Sequence, residues 1–216
     1  MSSGTWPSLI ILDFDGTIVE SVDIKTDAFR ELFGPYPAEL DRIMAYHLTH
    51  NGIPRDVKFK HIYEDILGVA YTAELRDATA KRFSDLVFER VVSCPFVPGA
   101  EGFLERASPR LPLYVVSASP ETELRRVVEA RGLARHFRSV CGSPMAKREH
   151  VWRILSREAA DPAGALYVGD SVEDYRVARE LGVPFIGRRN KEDLSGLGVP
   201  VYPDLVGIAA KWAGIS

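Results

Sequence analysis

Cysteine is scarce in this chain of 216 residues, with Cys94 and Cys141 the only two. They stand too far apart in sequence for a metal-ligand pattern and too few to staple a fold of this length, so two buried thiols in a reducing cytoplasm are expected. Charge of one sign is also lacking: 27 Lys and Arg against 30 Asp and Glu leave a net charge of −3. Nothing in that balance draws the protein to nucleic acid or to an anionic membrane, and neither is expected as a partner. No apolar run approaches the ~20 residues of a membrane-spanning helix. The opening MSSGTWPS has neither the basic nor the apolar region of a secretory signal, so a soluble protein that stays where it is made is expected. There is no internal repeat and no low-complexity stretch.

What is present divides into two textures. VDIKTDAFRELFG, from Val22, places Ile24, Ala28, Phe29, Leu32 and Phe33 at helical spacing and stops at Gly34-Pro35. Segments 37–50, 54–67 and 72–92 read the same way. From Phe96 onward short apolar runs alternate with amphipathic stretches. LPLYVVS (111–117), FRSVCG (137–142), ALYVGD (165–170) and VPFIG (183–187) read as strands, and 120–131, 147–158 and 172–181 as helices. Such alternation predicts an α/β fold with a mostly parallel, Rossmann-like sheet covered on both faces. The economical division is a core of 1–18 plus 93–216 with an inserted all-helical unit, 19–92. NKEDLSGLG (190–198) reads as an exposed loop and 203–214 as a last helix. Arg188-Arg189, after the last strand, is within reach of the site edge but reads better as a surface pair.

The informative stretch is LIILDFDGTIVES, residues 9–21, where an apolar strand ends in Asp13 and Asp15 ahead of Gly16-Thr17. In open parallel sheets ligands bind beyond the carboxyl ends of the strands. The other strands end there in Ser117 and Asp170, Asp174 follows one helical turn later, and Lys147 opens a helix nearby in sequence. Four carboxylates gathered out of water cost several kcal/mol each unless partnered. A hard divalent cation is the natural partner, and Mg²⁺ takes carboxylates together with waters and a substrate phosphate. Lys147 and Ser117 then hold a phosphoryl group beside free backbone N–H groups. Asp13 is placed to attack that group and to bind the metal, and Asp15 to protonate the leaving oxygen and later deprotonate water. Gly16 lets the chain turn away.

On these residues the sequence resembles the haloacid dehalogenase-like hydrolases, in the branch of phosphoglycolate phosphatases and β-phosphoglucomutases. DFDGT stands as the first motif, VVSAS as the second, Lys147 in SPMAKREH as the third and VGDSVEDYRVA as the fourth. Residues ~20–92 fall where that branch inserts its helical cap. The resemblance implies that Asp13, the Asp15 carbonyl and Asp170 bind Mg²⁺, that Asp174 supports the metal, and that Ser117 and Lys147 bind phosphate. An aspartate at position 15 favours phosphate ester hydrolysis or phosphoryl transfer over dehalogenation.

Within the insertion, NGIPRDVKFKHI (51–62) resembles the β-phosphoglucomutase cap segment, which puts Arg55 where those enzymes hold a second phosphate. Lys25 occupies the place of their assisting histidine, and an ammonium at neutral pH is a poor base. Lys25, Arg55 and Lys58 are therefore expected to serve an anionic substrate. The implied activity is a Mg²⁺-dependent phosphomonoester hydrolase acting on a sugar phosphate, a phosphorylated sugar acid or phosphoglycolate. A sugar phosphomutase is the alternative, with a signalling domain that stores an aspartyl-phosphate behind it. A monomer or weak homodimer is expected.

Overall fold

A computed structural model describes residues 6–50 and 53–212, and the statements below concern those residues. The first strand, β1 (Ile10–Leu12), lies between β2 (Leu113–Pro120) and β4 (Leu166–Gly169) and runs parallel to both. With β3 (Ser139–Ser143), β5 (Phe185–Arg188) and β6 (Val201–Tyr202) it forms a six-stranded parallel sheet in the order β3-β2-β1-β4-β5-β6. The order reverses at β1, so the crevice beyond its carboxyl end is where this topology presents a ligand site.

Side-chain alternation divides the core between the two faces of the sheet. Ile10, Leu12, Leu113, Val115, Leu166 and Val168 pack on one side against α5 (Ala100–Ala107), α6 (Glu121–Ala130) and α9 (Leu205–Ala209). Ile11, Tyr114, Val116 and Tyr167 face the other way, against α7 (Lys147–Arg157) and α8 (Val172–Glu180). Burial on both faces explains why these strands read as near-continuous apolar runs.

Four helices intervene between β1 and α5: α1 (Val22–Phe33), α2 (Leu40–Thr49), α3 (Arg55–His61) and α4 (Ala73–Ser93). Their shared centre is aromatic, with the Phe29 ring 5.4 Å from Phe59 and 5.1 Å from Phe83. Thr72 caps α4 by accepting from the Leu75 N–H. At the far end, Arg131 Nη1 donates to the carbonyls of Val91, Val92 and Cys94, satisfying groups the helix leaves unpaired and tying the returning chain to the end of α6.

Several boundaries differ from those read in the sequence. The 54–67 segment leaves α geometry at His61 and continues as a π turn over Ile62–Ile66. The last helix is shorter than 203–214: α9 ends at Ala209, a 3₁₀ turn covers Ala210–Trp212, and 213–216 lie outside the described residues. Helix α5 and strand β6 carried too few residues of clear periodicity to be read. Gly99 opens α5 at φ +80, where a Cβ would lie 2.6 Å from Val206. Both cysteines are free and buried, as expected. No helix among the described residues is long and apolar enough to cross a membrane.

Candidate active site

The loops after β1, β2 and β4 meet at one edge of the sheet because those strands are neighbours in register, with Leu12 beside Val115 and Val168. Asp13 is anchored by its N–H on the Val168 carbonyl at 2.9 Å and its carboxylate is buried. Gly16 then turns the chain at φ +79. A Cβ there would fall 2.1 Å from Asp170 Oδ2, so glycine is required both by backbone conformation and by the approach of this carboxylate.

Lys147 binds two of the acids at once, its Nζ lying 2.9 Å from Asp13 Oδ1 and 2.7 Å from Asp174 Oδ1. Asp174 is held further by the Tyr167 hydroxyl at 2.8 Å and by a capping box with Ser171, whose hydroxyl donates to Oδ2 at 2.6 Å. Asp170 has one side-chain donor, Asn190 Nδ2 at 2.6 Å. Ligand oxygens of Asp13, Asp170 and Asp174 lie within 4.8 Å of one another.

Charge at this edge is unbalanced. Burial raises the Asp13 carboxyl to about 7, with Asp174 and Asp15 adding to the effect and Lys147 opposing it. Burial, followed by the charges of Asp13 and Asp174, drives Asp170 well above the ordinary carboxylate range. Burial works to lower Lys147, but Asp13 and Asp174 outweigh it and hold the amine charged. Three buried carboxylates against one ammonium fit a divalent cation by charge, by oxygen chemistry and by spacing, so the group could hold a metal.

Asp15 is surrounded differently. Lys25 Nζ lies 2.5 Å from its Oδ2, the Ser119 and Ser117 hydroxyls donate to the same oxygen at 2.8 and 3.3 Å, and Ser21 donates to Oδ1 at 2.6 Å. Burial alone would raise this carboxyl, but the Lys25 charge and these hydrogen bonds outweigh it and hold it below its usual value.

The chain matches the haloacid dehalogenase-like hydrolase family over residues 10–188, a span that runs from β1 through β5. The chain belongs to that family. Among curated relatives, the phosphoglycolate phosphatase of Synechococcus elongatus is 26% identical over 181 residues, covering 81% of this chain and 80% of that protein. The fold is shared with a predicted phosphoglycolate phosphatase from Haemophilus somnus, at TM-score 0.77 and 18% identity over 95% of this chain and 98% of the other. It is shared too with CbbY of Rhodobacter sphaeroides in complex with phosphate, at TM-score 0.73 and 16% identity over 94% and 96% of the two chains. This haloacid dehalogenase-like hydrolase is a phosphatase of the family.

In this hydrolase a cavity of roughly 380 Å³ extends from the carboxylates toward the inserted helices. All three basic residues singled out there line it, in different circumstances. Lys25 is committed to Asp15 and Ser119, so it is not a free cation for a substrate anion. The Arg55 guanidinium is clamped by Glu123 of α6, at 2.9 and 2.5 Å, and by Ser84 of α4 at 3.0 Å. A second phosphate would have to displace that bidentate pair. Lys58 alone has no carboxylate within ion-pair distance among the described residues.

Sequence reasoning missed the Ser119 contact with Asp15, although Ser119 closes the VVSAS motif, and it missed Asn190 on Asp170 and the Glu123 clamp, which belong to no motif. It also misread Arg188, which is buried rather than part of a surface pair. Its Nη1 donates to the Gly16 carbonyl and to Glu20 Oε2, both at 3.1 Å, and its Nη2 pairs with Glu20 Oε1. Arg188 thus pins the turn that follows Asp15, while Arg189 is exposed. The run of apolar residues before Arg188 was a signal that the strand continues through it.

His47 is buried and stacked on Phe29 at 3.9 Å. Burial, reinforced by Lys58 and Lys25, lowers its pKa to about 3. Since a histidine is near 6.5 when unfolded, the folded state favours the neutral ring. That contribution is complete above pH 6.5 and is lost as pH falls toward 3, on the order of 4 kcal/mol across the window. Urea titrations of His47→Gln between pH 7 and 4 are expected to show a shallower acid loss than wild type. Parallel curves would contradict a neutral buried His47.

Proposed function

We propose that this phosphatase hydrolyses the phosphate monoester of a small metabolite through an aspartyl-phosphate on Asp13, with Mg²⁺ as its cofactor. The observation that carries the reading is the meeting of Asp13, Asp15, Ser117, Lys147 and Asp170 at one sheet edge with Lys147 in contact with Asp13. Phosphoglycolate phosphatases among the relatives support a small phosphorylated substrate.

Asp13 attacks phosphorus in line as the ester P–O bond breaks, and Asp15, which Lys25 and the surrounding hydroxyls hold ionised in the free site, takes up a proton before this step and gives it to the departing alkoxide. Asp15 then takes a proton from water, which releases phosphate and restores Asp13. Lys147 and Ser117 balance and orient the transferred group, with Lys147 also fixing the Asp13 carboxylate. Asp13, the Asp15 carbonyl and Asp170 would hold the Mg²⁺, backed by Asp174, and the ion would neutralise charge on the phosphoryl oxygens. Residues 19–92 act as a cap that excludes water and carries the contacts to the alcohol portion.

Lys25 fits this scheme as the group that keeps Asp15 able to ionise. Removing its charge raises the Asp15 carboxyl, so Lys25→Met is expected to move the acidic limb of the kcat profile to higher pH. An unmoved limb would detach Lys25 from the proton transfers. The overall reading is tested by phosphate release from sugar phosphates, phosphorylated sugar acids, phosphoglycolate and nucleotides, with and without Mg²⁺ and with Asp13→Asn as the blank. Release that depends on neither the metal nor Asp13 would overturn it.

A further inference from the structure

The cavity wall beyond the carboxylates carries an aromatic and aliphatic stretch among charged side chains. Phe29, Phe83 and Val87 from the inserted helices and Leu124 and Val127 of α6 make up that stretch. A sugar placed there would set several hydroxyls against hydrocarbon, each unpartnered one losing its hydration without a replacement. A planar ring meets such a wall without that penalty and gains from the neighbouring rings. Pockets of about 300–1,000 Å³ with few polar groups suit ligands of ring size, and the roughly 380 Å³ available is more than a two-carbon alcohol needs.

The pairing of the charged groups on the lining decides the rest. Arg55 and Lys25 are already paired with carboxylates. Lys58 is 3% exposed and lines the same cavity. Its one hydrogen-bonding neighbour is His47 Nδ1 at 3.4 Å, and its ammonium lies 5.6 Å from the centre of the Phe29 ring. The orientation of His47 follows from its other nitrogen. The Thr26 hydroxyl gives its proton to the Val22 carbonyl at 2.9 Å and therefore accepts from His47 Nε2 at 3.3 Å, which leaves Nδ1 to accept from Lys58. The remaining Lys58 protons have no acceptor among the described residues. Burial, followed by the Lys25 charge, lowers the amine to about 7 against the opposing pull of Glu192, which lies beyond ion-pair distance.

We propose that the preferred substrate is the phosphate monoester of an alcohol built on an apolar ring and carrying one carboxylate, the ring lying between Phe83 and Leu124 and the carboxylate on Lys58. This rests on the hydrolytic reading of the Asp13 site and names its substrate class. One carboxylate matches one unpaired ammonium. Arg126 also lines the cavity without a carboxylate partner among the described residues, but its guanidinium is stacked over the Phe88 ring, 4.5 Å from the ring centre, which leaves Lys58 as the unpaired ammonium.

The test compares kcat/KM for phosphate release by the Mg²⁺-loaded full chain from 4-carboxybenzyl phosphate, benzyl phosphate, phosphoglycolate and ribose 5-phosphate. The carboxybenzyl ester is expected to exceed phosphoglycolate and ribose 5-phosphate by about tenfold or more, and plain benzyl phosphate by a similar factor, as one buried charge contact warrants. In Lys58→Met the gap between the two benzyl esters is expected to close through KM, and in Lys58→Arg to be partly kept. Wild-type preference for phosphoglycolate or ribose 5-phosphate, or equal rates for the two benzyl esters, would overturn the substrate class while leaving hydrolysis intact. Silence toward all four esters and the wider metabolite panel would remove the hydrolytic reading and this inference with it. The wild-type comparison stands even if the Lys58 variants fold poorly.

Discussion

Asp13→Asn is expected to lower turnover by about 10⁴-fold while preserving the fold, the scale seen when one member of a nucleophilic unit is lost. The amide is nearly isosteric and can still accept from Lys147, which keeps its contact with Asp174. It cannot form the acyl phosphate. Substantial phosphate release by the variant would remove Asp13 from the role of nucleophile. Stability supplies an independent readout. Burial first, and then Asp174 and Asp15, raise the Asp13 carboxyl to about 7 against the pull of Lys147, so the metal-free fold favours its protonated form. For a carboxyl raised in this way the stabilising contribution is complete below about 3.8 and is lost as pH rises through about 7. Metal-free wild type should therefore lose stability relative to Asp13→Asn over that window, and Mg²⁺ should narrow the difference. Identical pH dependence for the two proteins would mean that Asp13 ionises as freely in the fold as outside it.

Lys147→Met is expected to have the largest effect on stability. Its ammonium is the cation between Asp13 and Asp174, both of which are buried. Removing one partner of a buried ion pair costs roughly 3–5 kcal/mol, because the carboxylates left behind lose their cation without regaining water. In a chain of this size that corresponds to a fall in Tm on the order of 10 °C. Divalent cation should restore part of the loss, since it supplies the missing positive charge, and turnover should remain severely reduced because the metal cannot replace an ammonium on the phosphoryl group. A thermal melt unchanged from wild type would show that the two carboxylates do not depend on Lys147.

The strand ends were legible because the code for them is local. An apolar run closed by Asp, Ser or Asp-Ser names both the strand and the residue at its tip, and a parallel sheet fixes which tips matter. Asp174 was legible as the acid one helical turn beyond Asp170, and the fold adds the capping box that ties it to Ser171. Helix α5 escaped because it is eight residues long, and α9 was overextended because apolar residues continue past its end.

Contacts across long separations carried no such signal. Lys25 could be read as a free cation because nothing near it in sequence shows that Ser119 and Asp15 close around it, 94 and 10 residues away. Arg55 was read as a phosphate ligand for want of any sign that Glu123, 68 residues on, would take both its nitrogens. Arg188 was assigned to the surface because a pair of arginines after a strand usually lies there. Here Glu20 and the Gly16 carbonyl provide the hydrogen bonds that let its charge be buried.

The sequence by itself determined the parallel sheet and the acids at its edge, since periodicity and residue type act over a few positions. Only the tertiary structure decided which cations remain free for a substrate. Long basic side chains are oriented by whichever carboxylate folding brings within reach, and in this chain that leaves Lys58 as the buried amine without one.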